Sequence, residues 1–154
     1  MGNFTTIRTV LSEETSQLGE KVAAGIVRDW QQKKPDTSHI FCLYGDLGSG
    51  KTTFTQGFAK GLGIFSRVLS PTFLIAKRYS IPIDDRFFYH LDIYRMESAE
   101  SLESIGLAEL LSDIHSVIII EWAEKLRSFL PKNRTDITFR VNADGSHQID
   151  INII

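Results

Sequence analysis

The chain is poor in residues that staple or interrupt a fold. Cys42 is the one cysteine in 154 residues. An internal disulfide is therefore excluded, and that usage points to a reducing cytosol. There are four prolines and no low-complexity tract or linker, so a single domain over residues 1–154 is expected. Neither sign of charge dominates: 17 Lys plus Arg stand against 19 Asp plus Glu, which gives no electrostatic advertisement for nucleic acid or membrane. No apolar run approaches the ~18 residues of a membrane span. The start of the chain lacks the basic-then-apolar pattern of a secretory signal. Met1-Gly2-Asn3-Phe4-Thr5-Thr6 fits the loose acylation pattern, and Asn3-Phe4-Thr5 and Asn133-Arg134-Thr135 fit the glycosylation sequon. Such short matches arise often by chance and are expected to be inert. His39, His90, His115 and His147 show no ligand spacing, so no zinc site is expected.

What is present reads as strands interleaved with helices. The periodicity predicts a helix over 12–32, capped by Ser12, with Leu18, Val22, Ile26 and Trp30 as its apolar stripe. The unbroken apolar run 40–44 suits a strand buried on both faces. A second helix is expected over 51–62, with Phe54, Phe58 and Leu62 inward and Gly63 ending it. Strands follow over 72–81 and 86–93, then a helix over 98–113 with Leu102, Ile105, Leu110 and Ile114 inward. Residues 117–120, Val-Ile-Ile-Ile, are the most apolar strand, and 123–129 a short helix. Near the end, alternation around Asp144-Gly145 predicts an antiparallel hairpin. The expected class is α/β: a mixed, mostly parallel sheet of the P-loop NTPase type flanked by helices, with a C-terminal antiparallel hairpin.

Gly45-Asp46-Leu47-Gly48-Ser49-Gly50-Lys51-Thr52 matches the phosphate-binding pattern G-x-x-x-x-G-K-S/T at every fixed position. It lies between a buried strand and a helix, as that chemistry needs. Glycines let backbone N–H groups turn inward around phosphate oxygens, and the helix points its positive end at the same anion. Lys51 supplies a cation for the terminal phosphates, and Thr52 offers a hydroxyl to Mg²⁺. A carboxylate at the end of a neighbouring strand is the usual second metal group. Glu121, after Ile118-Ile119-Ile120, and Asp92, after Phe88-Tyr89-His90-Leu91, are both candidates. No Asp starts a D-x-x-G, and Asn133-Arg134-Thr135-Asp136 only imitates a guanine reader, so ATP is the expected nucleotide.

The motifs GDLGSGKTTFTQG (45–57), SPTF (70–73), HLDIYR (90–95) and IIIEWAEKL (118–126) fall in the order and spacing of the TsaE (YjeE) family. The resemblance extends from Thr15 to the region of Pro131. It implies a cytoplasmic, Mg²⁺-dependent ATPase required for the threonylcarbamoyladenosine (t6A) modification of tRNA. Such a protein meets tRNA indirectly, by acting on the TsaB–TsaD transferase pair, and does not itself transfer the threonylcarbamoyl group. Ser49, Ile93 and Ala123 depart from the commoner Ala, Leu and Pro, and none of the three changes removes a group expected on phosphate or metal.

Combined, the two arguments assign phosphate binding to Lys51 and the loop from Gly45 through Thr52 to Thr53. Thr52 and Glu121 form the metal pair. Asp92 is placed on a metal-bound or attacking water. Ser70 and Thr72 form a switch-like turn, Trp122 lies near the nucleotide, and Thr15 aligns with a threonine near the base. A small-molecule kinase with the same loop is the alternative. An arginine-rich lid would mark it, and only Arg78, Arg86 and Arg95 lie near the site in sequence. A regulatory module that barely hydrolyses is a third reading.

Overall fold

The segment Ser116–Glu121 is buried at all six positions. A strand with no exposed face needs a sheet neighbour on each side and a layer on each face. In the computed structural model, which describes residues 2–69, 76–96 and 106–154, it has all four. The strands are β1 (Phe4–Thr9), β2 (His39–Tyr44), β3 (Ala76–Ile81), β4 (Arg86–Asp92), β5 (Ser116–Glu121), β6 (Thr135–Val141) and β7 (His147–Ile153). They form one sheet in the order β1-β7-β6-β2-β5-β4-β3. The central four, β6-β2-β5-β4, are parallel, while β1, β7 and β3 join antiparallel at the flanks. The carboxyl ends of β6, β2, β5, β4 and β1, and the start of β7, therefore meet at one edge.

Strand alternation sorts the core into two layers. Phe41 and Leu43 of β2, Phe88 of β4, and Val117 and Ile119 of β5 pack with α1 (Ser12–Gln31) and α2 (Lys51–Gly61). Ile40, Cys42, Leu91, Ile118 and Ile120 pack on the other face with α3 (Leu107–Ser112), with Ala123 of the 3-10 turn Ala123–Lys125, and with Leu126 and Leu130 around a second such turn, Arg127–Phe129. Cys42 is fully buried, and burial pushes its thiol up to about 12.

Several expectations are corrected in detail. The cap of α1 is not Ser12, which is its first helical residue; the Glu14 carboxylate reaches back to accept the N–H groups of Val10 and Leu11. The buried stripe of α1 is Thr15, Gly19, Ala23 and Ile26, with Leu18, Val22 and Trp30 packed half-buried beside it. The cause is the close approach of α2. A Cβ on Gly57 would lie 1.9 Å from the carbonyl oxygen of Ser16, and one on Gly19 2.2 Å from that of Phe54. Backbones this near leave no room for large side chains between them, so the bulky residues move to the flanks. Ile114 is exposed rather than inward, because α3 ends at Ser112. The strand β1 is an addition to the expected elements: its sequence FTTIRT is mostly polar, and as an edge strand it pairs only with β7. The positions 70–75 and 97–105, and with them Ser70, Thr72, Leu102 and Ile105, lie outside the described residues.

Candidate functional site

The strand β2 ends at Tyr44 and α2 begins at Lys51, so the chain must reverse within six residues. Gly45, Gly48 and Gly50 take φ values of 143°, 76° and 107°, where a side chain is strained. Gly45 is also closed in from behind: a Cβ there would meet the carbonyl oxygen of Phe139 at 2.6 Å, whereas one on Gly50 would make only ordinary contacts, 3.5 Å to Thr15 and 3.7 Å to His147. The β6–β7 hairpin thus forms the back wall of the loop. His147 Nδ1 lies 2.7 Å from the Ser49 carbonyl and fastens the two together. Leu47, at the tip, is 70% exposed.

Lys51 opens α2 and folds back into the loop. Its ammonium donates to the carbonyl oxygens of Gly45 and Asp46 and lies 3.4 Å from Ser49 Oγ. The Trp122 ring lies 4.2 Å from Nζ, centroid to nitrogen. Lys51 is only 4% exposed. Loss of water lowers its pKa below the ordinary lysine value, against the opposing pull of Glu121, Glu124, Asp46 and Asp92. An ammonium stripped of water at the start of a helix is a ready partner for an anion.

One residue further on, Thr52 Oγ1 lies 3.3 Å from Glu121 Oε2 and 3.4 Å from Oε1. The last residue of β5 and the first turn of α2 therefore present a carboxylate and a hydroxyl together. Mg²⁺ takes oxygen ligands, often one or two from the protein with the rest from water and phosphate, so this pair fits it. Asp92 ends β4 directly beside Glu121 in the parallel register, and its carboxylate accepts the N–H of Tyr94 at 3.0 Å.

Trp122 follows Glu121 with φ 61° and ψ 39°. This left-handed conformation costs a bulky residue about 1–3 kcal/mol. It turns the indole back over Lys51 and against Tyr94, with ring centroids 4.8 Å apart. Thr15 is 3% exposed, and its hydroxyl is bonded to that of Thr9 at 2.8 Å, so it sits behind Gly50. Thr53 is half-buried in the first turn of α2. The structure thus brings together the loop, Lys51, Thr52, Glu121, Asp92 and Trp122. It also adds two residues that the sequence reading passed over: His147 behind the loop, and His90, fully buried on β4 with Nε2 3.1 Å from Glu121 Oε1. A histidine on the inward face of a strand, two positions before a candidate acid, was the available signal for His90.

Among the described residues no helix is long and apolar enough to cross a membrane. Comparison with known proteins agrees with the site. Residues 10–149 match the family model for the threonylcarbamoyl adenosine biosynthesis protein TsaE. The tRNA threonylcarbamoyladenosine biosynthesis protein TsaE of Bacillus subtilis (strain 168) is 40% identical over 92% of this chain and 81% of its own length. That of Rickettsia bellii is 32% identical over 94% and 93%. The crystal structure of YdiB from Bacillus subtilis superposes with a TM-score of 0.76 at 33% identity, covering all of this chain and 88% of the other. On these matches, and on a phosphate loop facing a strand-end glutamate, the chain belongs to the TsaE family.

Proposed function

We propose that this chain binds and hydrolyses Mg²⁺–ATP as the P-loop component of t6A formation on tRNA, in the cytoplasm, as an accessory to TsaB and TsaD. The observation that carries this reading is the approach of Thr52 and Glu121 to within 3.3 Å beside a buried, loop-held Lys51. Backbone N–H groups of residues 45–53 and the positive end of α2 receive the phosphates. Lys51 exchanges its loop carbonyls for phosphate oxygens. Thr52 and Glu121 hold the metal, which when bound neutralises charge building on the β- and γ-phosphates. Asp92, beside Glu121, orients the attacking water, and Trp122 keeps bulk water off the lysine. Ser70 and Thr72 sense the γ-phosphate, so that affinity for the TsaB–TsaD pair depends on whether ATP or ADP is bound.

Phosphate release with and without the TsaB–TsaD pair and tRNA tests this reading. Mg²⁺-dependent release that increases with the pair is expected. Transfer of the γ-phosphoryl group to a small acceptor instead of water would turn the reading to a kinase. Absence of release under every condition would overturn it.

A further inference from the structure

The Glu121 carboxylate is 2% exposed. A carboxylate taken out of water must be met by donors or it is strongly destabilised. Among the described residues three side chains reach it. Thr52 Oγ1 lies 3.3–3.4 Å from its two oxygens, and Thr55 Oγ1 lies 3.2 Å from Oε1. His90 Nε2, at 3.1 Å from Oε1, is the nearest.

These donors are not equivalent. A threonine hydroxyl has a single proton. That of Thr55 has a competing acceptor, the Lys51 carbonyl at 2.9 Å, which is nearer than the carboxylate. That of Thr52 makes the longest contacts of the three, 3.3 and 3.4 Å, and its oxygen is the atom assigned above to the metal. His90 has no competing use among the described residues: it is fully buried, and its other nitrogen, Nδ1, meets no hydrogen-bond partner there. Of the two neutral tautomers, the one protonated at Nε2 fits this geometry. A proton on Nδ1 would be an unsatisfied buried donor and would leave Nε2 with a lone pair facing a carboxylate. A proton on Nε2 makes the bond and leaves only a bare lone pair unsatisfied. The register agrees, because Phe88, His90 and Asp92 alternate onto the α2 face of β4, next to Ile119 and Glu121 of β5.

We propose that His90 is a positioning residue for the metal carboxylate: its Nε2–H holds Oε1 of Glu121 so that Oε2 is presented beside Thr52. This rests on the Mg²⁺–nucleotide reading above and adds a residue to it. An outer partner of this kind is worth about 10–100-fold in metal affinity or activity. His90 does not touch the nucleotide, so its loss acts on the metal and leaves metal-free nucleotide binding alone.

Three measurements on the full chain test it. The first is the ring tautomer of His90 by long-range proton–nitrogen NMR on the protein alone. Protonated Nε2 with bare Nδ1 is expected, and the opposite tautomer overturns the proposal whatever the variants do. The second is calorimetric titration of Mg²⁺ into protein saturated with a non-hydrolysable ATP analogue, for the wild type, His90→Phe and His90→Gln. His90→Phe is expected to weaken Mg²⁺ about 10–100-fold, while His90→Gln, whose amide N–H₂ reaches toward the Nε2 position, stays within about threefold of the wild type. Wild-type Mg²⁺ affinity in folded His90→Phe overturns the proposal, and so does a His90→Gln protein that folds but binds Mg²⁺ as poorly as His90→Phe. If His90→Phe does not fold, the His90→Gln titration and the tautomer still decide. The third is affinity for the analogue in EDTA, which should match across all folded variants; a fall there would make His90 a nucleotide-site residue and overturn the positioning role. A wild-type protein showing no Mg²⁺-dependent nucleotide binding would instead bring down the functional reading itself, while the tautomer would still report on the His90–Glu121 bond.

Discussion

Polar groups are handled in opposite ways at the two sides of the sheet. On the β1-β7-β6 side, Asp150 accepts from Thr6 at 2.8 Å, from Arg140 at 3.0 Å and from Gln148 at 3.2 Å, and Arg134 pairs with Asp136 at 2.8 Å. Those groups complete one another. At the carboxyl ends of β2, β4 and β5 the polar side chains are more deeply buried and less complete. Lys51 is held by carbonyls and an indole face rather than by a paired carboxylate. Glu121 depends on shared donors, and one nitrogen of His90 has no partner among the described residues. Paired charges hold a surface together, whereas a buried charge met by neutral donors and acceptors is kept for a ligand and lowers the stability of the protein by itself.

The contrast can be broken most directly at Lys51. Lys51→Ala should abolish hydrolysis and weaken nucleotide binding by at least about 100-fold, since hydrogen bonds to charged groups carry about 1.5–3 kcal/mol each and this residue makes several. Circular dichroism should be unchanged. A folded variant with wild-type affinity would show that the site is not phosphate-directed. Next in size are the acids. Glu121→Ala should reduce Mg²⁺-dependent turnover at least as far as Asp92→Ala; a variant pair in which only Asp92→Ala loses its Mg²⁺ dependence would reverse their roles.

A third change sharpens the comparison from outside the site. Gly57→Ala forces α1 and α2 apart, because the added carbon would sit 1.9 Å from the Ser16 carbonyl oxygen. Overpacking of this kind costs about 1–3 kcal/mol, to be read as a lower midpoint in urea. Unchanged stability would mean that the two helices part easily. The smallest effect belongs to the exposed hairpin turn. Ser146 and Arg8 hold the Asp144 carboxyl down at about 2. A depressed acid contributes stability above its unfolded value and loses it as pH falls through the folded one. The wild type should therefore lose an advantage over Asp144→Asn between about pH 4 and pH 2, measured by thermal melting across that range. Curves that stay parallel would remove Asp144 from the acid response.

The phosphate loop, its flanking strand and helix, and the acid ending β5 were legible because each is written in consecutive residues. Glycine spacing and an apolar run need no tertiary information. The stripe of α1 was not legible in that way. Leu18, Val22 and Trp30 are the stronger apolar signals, but Gly19 and Gly57 decide the contact, and glycine carries no hydrophobic signal at all. The polar strand β1 was invisible for the same reason, since its partner β7 lies at the far end of the sequence. His90 was hidden by residue type: a histidine count looks for ligand spacing, whereas its role comes from the register that sets β4 against β5.

The burial of Cys42 makes it a built-in clock. Its thiol lies on β2, in the core layer that faces α3, three residues before the phosphate loop. Raised to about 12, it is a poor nucleophile while the sheet is closed. A thiol reagent can reach it only when the sheet opens, so the labelling rate counts openings of the central strands. A ligand that binds only the closed form slows that count by the factor 1 + [L]/Kd. Nucleotide affinity thus becomes readable as a labelling time, from a residue that takes no part in the chemistry.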